Sequence, residues 1–430
     1  MSESRRYERA DRQTEVRELS RLAFDELRGA PAGIGEIHRA IAERAFSGVS
    51  HGLGSAARPV KIMHDAIAEG VYTALRGAAG LLGDGGDVAL RRRSFQGPPL
   101  SATPRGSLLL GVLQGLRGDA LEAESSAVVQ PMALRLHNEV VPPEREALAR
   151  AFGAATAKLV VFLHGLMETE GAWLLGGAPA YGERLAHDGG RTPLYVRYNS
   201  GRHISENGLE LSKLLDALVA AWPVAVKEIA LVGHSMGGLV ARSACFQANE
   251  EGAIWVRRVR HVVSLGTPHM GAPLEQMTHY ASAALDRVPE TRPFARFLRR
   301  RSAGIRDLRQ GSLVDEDWRG RGPDALRAAA CREVPLLEGA SHCFVSATVT
   351  RSARHPVGRL IGDWLVLVPS ASGRSRSRRI PFRAEDGLHV GKATHFALLN
   401  HPAVYAQLRD WLATSPRRVA DALDSSAPKQ

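Results

Sequence analysis

The sequence predicts an α/β architecture: a mostly parallel, doubly wound sheet with a helical cap, preceded by an N-terminal helical region. Three observations carry that expectation. Short apolar runs of strand length alternate with helical segments between residues 132 and 412, the pattern that buries parallel strands between two helical layers. The alternation lapses at about 272–337 into helical, arginine-rich sequence, read as a cap over the strand ends. Before residue 125 only helical spacing occurs. The expected division is 1–125 as a helical region with a flexible linker, 126–414 as the sheet domain, and 415–430 as a disordered tail.

In the N-terminal region the polar start gives way to a helix expected over 16–27. Ile34, Ile37, Ile41 and Ala45 then recur at helical spacing. Pro59 opens a third segment, whose stripe of Met63, Ala66, Ile67, Val71, Ala74 and Leu75 stops at Gly77. Residues 107–121 carry Leu109, Val112, Leu113 and Leu116, with Gly111 and Gly115 spaced for close helix contact. This apolar core is far short of the roughly 20 residues a membrane span needs. Two readings follow: a small helical bundle packed on the main domain, or an amphipathic element that meets a lipid surface or a partner. The linker at 83–104 is rich in Gly, Pro and Arg.

The period changes at Met132, Leu134 and Leu136, which alternate with Ala133, Arg135 and His137 as in a strand. A short helix is expected over 144–152. Lys158-Leu159-Val160-Val161-Phe162-Leu163 is an unbroken apolar run, as in a strand buried on both faces. Strands at 193–198, 228–232, 261–265 and 342–349 follow, with helices at 208–221, after Ser235, and at 402–412 closing the domain.

Composition bounds the function. With 44% hydrophobic and 23% charged residues, the chain is that of a soluble globular protein. The formal charge of +11 comes largely from arginine. Its runs at 299–301 and 374–379 read as solvated surface, with an anionic membrane as the alternative. They lack the interleaved aromatics that stack on bases, so no nucleic acid is expected. Cys245, Cys331 and Cys343 are too few for a disulfide framework or a zinc site and read as core thiols. Residues 1–21 are charged throughout and lack the apolar stretch of a secretory leader, so the expected location is cytoplasmic, with peripheral membrane contact as the alternative.

Chemistry concentrates at Leu231-Val232-Gly233-His234-Ser235-Met236-Gly237-Gly238, where an apolar strand enters a Gly-x-Ser-x-Gly turn and leaves as a helix. A bare pattern proves little, since Gly48-Val49-Ser50-His51-Gly52 matches it without a strand before or an apolar helix after. At Ser235 the context is right: Gly233 and Gly237 remove side chains that would clash at a sharp turn, and the following helix aims its free N–H groups at the site. A serine hydroxyl needs a base, and the base an acid to orient it. Both are expected after later strands, acid first. Asp363 is the expected acid, with Glu385 and Asp386 as rivals; His395 is the expected base, with His389 and His401 as competitors that read as a strand residue and a residue near the last helix start. An oxyanion needs two fixed backbone donors, expected from Met236 and from Leu166 after the His164-Gly165 turn. His164, His234 and His269 read first as packing or loop-shaping residues.

These residues resemble an α/β-hydrolase of the bacterial lipase and esterase kind, and in particular the GPI inositol-deacylase-like serine esterases. The likeness rests on Leu163-His164-Gly165-Leu166, on 231–242, on Leu265-Gly266-Thr267-Pro268-His269-Met270-Gly271, on Gly362-Asp363-Trp364 and on Thr394-His395-Phe396. It covers about residues 132–412. The resemblance implies hydrolysis of a carboxylic ester with a hydrophobic acyl or lipid part, through an acyl-serine, with no metal or organic cofactor. Such lipases often carry Gly where this chain has Trp364, which sets the acid loop apart. A thioesterase or acyltransferase with the same triad is the first alternative, and a non-catalytic lipid-surface or partner-binding protein the second. Phe294, Phe297, Leu298, Leu308 and Leu313 of the cap are candidates for an acyl pocket or for core packing.

Overall fold

The structure, a computed structural model, describes residues 11–29, 96–176, 179–272, 301–322, 331–375 and 378–414. The helices expected over 34–45 and 59–77, the decoy pentapeptide at 48–52, most of the linker, most of the cap including Phe294, Phe297 and Leu298, and the tail lie outside these residues.

Two helices precede the sheet, α1 (Arg12–Gly29) and α2 (Pro104–Ala123). Pro104 sits at the first turn of α2, where its missing N–H costs nothing, and the Thr103 hydroxyl accepts the Gly106 N–H at 3.2 Å. Leu22 of α1 packs with Leu110 and Leu121 of α2 and with Val128. The buried Glu15 carboxylate accepts the N–H groups of Leu100 and Ser101, which holds the start of this segment to α1.

The sheet follows as β1 (Ala133–Leu136), β2 (Glu139–Val141), β3 (Lys158–Leu163), β4 (Thr192–Arg197), β5 (Glu228–His234), β6 (Val259–Leu265), β7 (Ser341–Thr348) and β8 (Gly387–Gly391). Its strand order is β2-β1-β4-β3-β5-β6-β7-β8; β1 runs antiparallel to β2 and β4, and all later pairs are parallel. The crossover helices are α3 (Arg145–Ala151), α4 (Tyr181–Gly189), α5 (Ile204–Ala221) and α6 (Met236–Glu251).

The apolar runs read as doubly buried strands divide their side chains between two cores. Leu159, Val161 and Leu163 of β3, with Ile229 and Leu231 of β5, point into one cluster with α5 and α6. Val160, Phe162, Ala230 and Val232 point into the other, with α4 and the final helix α10 (Pro402–Ala413). Period-two geometry requires this split, since neighbouring side chains on a strand face opposite sides. Leu308 and Leu313 of the cap join the first cluster, so they pack as core.

The described cap residues include α7 (Ala303–Asp307), and β7 leads through α8 (Pro356–Ile361) and α9 (Val368–Ala371) to β8. Cys245, Cys331 and Cys343 are all free, the first and third buried. No described helix is long and apolar enough to cross a membrane, and no described cluster of His, Cys, Asp and Glu is arranged to hold a metal ion.

One expectation changes in detail. Gly111 and Gly115 do receive a close neighbour, but it is a loop and not a helix. A Cβ added at Gly115 would lie 2.5 Å from Met167 Cγ and 2.9 Å from the Met167 backbone N; one at Gly111 would lie 2.9 Å from the Glu168 carbonyl oxygen. The backbone at 167–169 is narrow enough to nest against a helix face stripped of side chains.

Candidate active site

Ser235 caps α6 at the C-terminal end of β5, with φ 51° and ψ −121°. A left-handed φ is costly for a non-glycine residue, of order 1–3 kcal/mol, and persists only where the surroundings enforce it. Here the Ser235 N–H donates to the Leu265 carbonyl at 2.8 Å, and the turn is too tight for larger neighbours. A Cβ at Gly237 would lie 2.3 Å from the Leu163 carbonyl oxygen, and one at Gly233 2.3 Å from the Gly238 nitrogen.

The acid and base candidates meet. His395 Nδ1 lies 2.8 Å from Asp363 Oδ2, both residues being buried. The other carboxylate oxygen, Oδ1, accepts the N–H groups of Leu365 at 3.0 Å and Val366 at 2.8 Å, and the His395 N–H donates to the Asp363 carbonyl at 3.0 Å. Burial pulls the His395 pKa down, but the Asp363 carboxylate outweighs it and the net direction is up. Among the described residues, His395 Nε2 has no hydrogen-bond partner. The imidazole lies against Gly266, whose added Cβ would be 3.1 Å from His395 Cε1, and Gly266 follows the residue that holds the Ser235 N–H.

Trp364 occupies its glycine-like position with φ 90°, next to Gly362 at φ 64°. The bulky residue thus adopts the backbone that glycine takes freely, and the Asp363 carboxylate keeps both its donors and its histidine.

The rivals stand elsewhere. His389 lies on β8, facing Ser346 and Thr348 at 3.1 and 3.2 Å. His401 caps α10 by accepting the Ala403 N–H. Glu385 pairs with Arg383, and the buried Asp386 lies 3.9 Å from the same guanidinium.

Upstream, Gly165 to Glu168 form a tight turn closed by the Glu168 N–H on the Gly165 carbonyl at 3.3 Å, with Met167 left-handed at φ 61°. The Met167 N–H is taken by Ser200 Oγ at 3.1 Å. Gly165 abuts the serine, since its added Cβ would lie 3.0 Å from Ser235 Cβ. Met236 is the first residue of α6 and so has no i−4 carbonyl within the helix. His164 is fully buried: it stacks on Tyr198, and its Nε2 accepts the Tyr198 N–H at 3.2 Å while Nδ1 lies 2.9 Å from the Gly165 carbonyl. His269 is buried beside Arg242 and Phe382.

Sequence reasoning missed Glu168. Its buried carboxylate Oε2 accepts the Gly165 N–H at 2.6 Å and lies 3.0 Å from His234 Nδ1, and His234 Nε2 lies 3.2 Å from the His395 carbonyl. The only local signal is an acid three residues beyond a turn glycine. Also missed were Glu170 and Arg197, a buried ion pair just beyond the turn whose guanidinium also donates to the Ser101 carbonyl at 2.7 Å.

An antiparallel β1–β2 edge, a parallel sheet crossing over at β3–β5, and a left-handed serine at the end of β5 decide the architecture. The chain carries an α/β-hydrolase fold. A family model described as the PGAP1-like alpha/beta domain matches residues 211–318, which span most of α5, the serine turn and β6 of this hydrolase fold. Similar solved structures include the propeptide form of the Bacillus licheniformis lipase BlEst2, at 19% identity and TM-score 0.41, covering 61% of this chain and 52% of that one. The chain therefore spans about half the length of that lipase form. EstA from Clostridium botulinum aligns at 14% identity and TM-score 0.38, over 61% of this chain and 89% of that one. The RedJ thioesterase of the Streptomyces coelicolor prodiginine pathway aligns at 16% identity and TM-score 0.33, over 60% and 91%. No curated protein matches the sequence.

Proposed function

We propose that the protein is a serine hydrolase of carboxylic esters. The observation that carries this reading is the occurrence together of a left-handed serine at a strand-to-helix turn and a buried His395–Asp363 couple whose outer nitrogen has no partner among the described residues. His395 Nε2 takes the Ser235 proton as Oγ adds to the ester carbonyl, while the Nδ1–H donates to Asp363 and the carboxylate stabilises the imidazolium. The N–H groups of Leu166 and Met236 receive the oxyanion at the positive end of α6. Collapse breaks the C–O bond, and the alkoxide leaves with the proton from His395. Water, deprotonated by the same nitrogen, then adds to the acyl-serine and releases the acid. Leu174 and Leu175, more than half exposed just beyond the oxyanion turn, supply apolar surface that favours a hydrophobic acyl group.

The test is covalent labelling with a fluorophosphonate, together with hydrolysis of p-nitrophenyl esters of increasing chain length. Wild-type protein is expected to label and turn over, and Ser235→Ala to do neither. Labelling that survives Ser235→Ala overturns the assignment of the serine.

A further inference from the structure

We propose that Glu168 and His234 form a second acid–imidazole pair, one that positions the catalytic groups from beneath and takes no proton from substrate. This rests on the hydrolase reading above.

The pair touches both halves of the site through backbone. Glu168 Oε2 holds the Gly165 N–H at 2.6 Å, which fixes the His164–Gly165 peptide, one peptide ahead of the one that carries the N–H of Leu166, the expected oxyanion donor. On the other side, His234 Nε2 lies 3.2 Å from the carbonyl oxygen of His395 itself. His234 is the residue before Ser235, so one imidazole links the serine's strand, the base's main chain and the oxyanion turn. Both side chains are sealed in: His234 is 0% and Glu168 8% exposed. Rings of His395, Phe396 and Trp173 stand 4.6, 6.0 and 6.3 Å from the His234 ring.

Donor and acceptor chemistry sets the roles. A carbonyl only accepts, so His234 Nε2 carries a hydrogen and donates it to His395. Nδ1 then faces the Glu168 carboxylate with the remaining proton of the pair between them. Burial raises the Glu168 pKa, but contact with His234 outweighs it and holds the carboxyl below its ordinary range. No nitrogen of His234 is left for substrate. Its contribution is a fixed separation between the loop that receives the oxyanion and the segment that carries the base, and such preorganisation acts on the transition state more than on ground-state binding.

The experiment compares Glu168→Ala with Glu168→Gln in the full-length protein, by steady-state ester hydrolysis, fluorophosphonate labelling rate and thermal unfolding. Alanine strands the Gly165 N–H and His234. Its kcat is expected to fall about 10²-fold with KM changed less than about threefold, and the labelling rate to fall with kcat. Glutamine can accept the Gly165 N–H through its carbonyl and donate to Nδ1 through its amide, so it is expected to recover most of that loss. If Glu168→Ala does not fold, Glu168→Asp replaces it: the shortened carboxylate withdraws from Gly165, and kcat is expected to fall about tenfold. A loss confined to KM, a glutamine variant no better than alanine, or activity that merely tracks the folded fraction overturns the positioning role. A wild-type protein inert to both probe and ester overturns the hydrolase reading instead, and this one with it.

Discussion

Two buried acid–histidine pairs lie side by side in this molecule and differ in one atom's company. In Asp363–His395 the inner nitrogen meets the carboxylate at 2.8 Å and the outer nitrogen has no partner among the described residues. In Glu168–His234 both ring nitrogens are engaged, one by carboxylate and one by a backbone carbonyl. Each sets a carboxylate against an imidazole, yet only the first pair leaves a ring nitrogen able to exchange a proton with a neighbour. A histidine's capacity for base chemistry is therefore read from its second nitrogen, and burial beside an acid does not supply it.

The largest expected break in this comparison comes from the first pair. His395→Ala removes the proposed base, and Asp363→Asn misdirects its tautomer; kcat is expected to fall roughly 10⁴-fold or more in either variant, measured by ester hydrolysis with Ser235→Ala as the baseline. A loss of less than tenfold in both would return Glu385, Asp386, His389 and His401 to contention. His234→Ala should behave differently. It leaves the base intact but strands the buried Glu168 charge, so a stability loss of about 3–5 kcal/mol is expected, with a smaller fall in kcat of about 10²-fold. Thermal or urea unfolding beside kinetics on the folded fraction separates the two contributions.

A third change reaches the oxyanion turn from outside. Gly115→Val drives side-chain atoms into Met167, whose backbone lies within 2.9 Å of the added Cβ. Overpacking of this kind costs about 1–3 kcal/mol, and with the turn displaced kcat is expected to drop roughly tenfold. Unchanged kinetics would mean that the turn tolerates displacement. The smallest effect lies in pH. The proposed base works only when neutral, so activity is expected to be lost as pH falls through the His395 pKa. Burial lowers that pKa, yet Asp363, and to a lesser degree Glu168, raise it above the ordinary 6.5. The acid limb of kcat/KM is accordingly expected above pH 6.5, and a limb at or below that value would contradict the electrostatic balance around His395.

What was legible in the sequence follows from locality. Residues 159–163 and 229–232 are apolar without interruption because both faces are buried, and the serine turn declares itself through glycines that sterics demand at adjacent positions. β8, an edge strand reading Gly-Leu-His-Val-Gly with little burial, offers no apolar run, and β2 is three residues long. Asp363 and His395 are legible as candidates through the order expected of acid and base along a doubly wound sheet. Glu168 is not, because an acid in a loop looks solvated until the chain closes over 66 residues to set His234 against it. The glycines of α2 announced a close approach, but only the folded chain names a loop as the visitor.

The seating of α2 bears on how portable this site is. The proposed oxyanion turn belongs to the segment after β3, yet the surface it leans on is supplied by residues 104–123, ahead of the first strand, and the Ser302 hydroxyl and Ala303 N–H of the cap fasten to Gly115 and Asp119 of the same helix. Grafting the sheet alone, or exchanging the leading region between relatives, would thus transplant the proposed nucleophile and base while leaving behind the mould in which the proposed oxyanion cradle is cast.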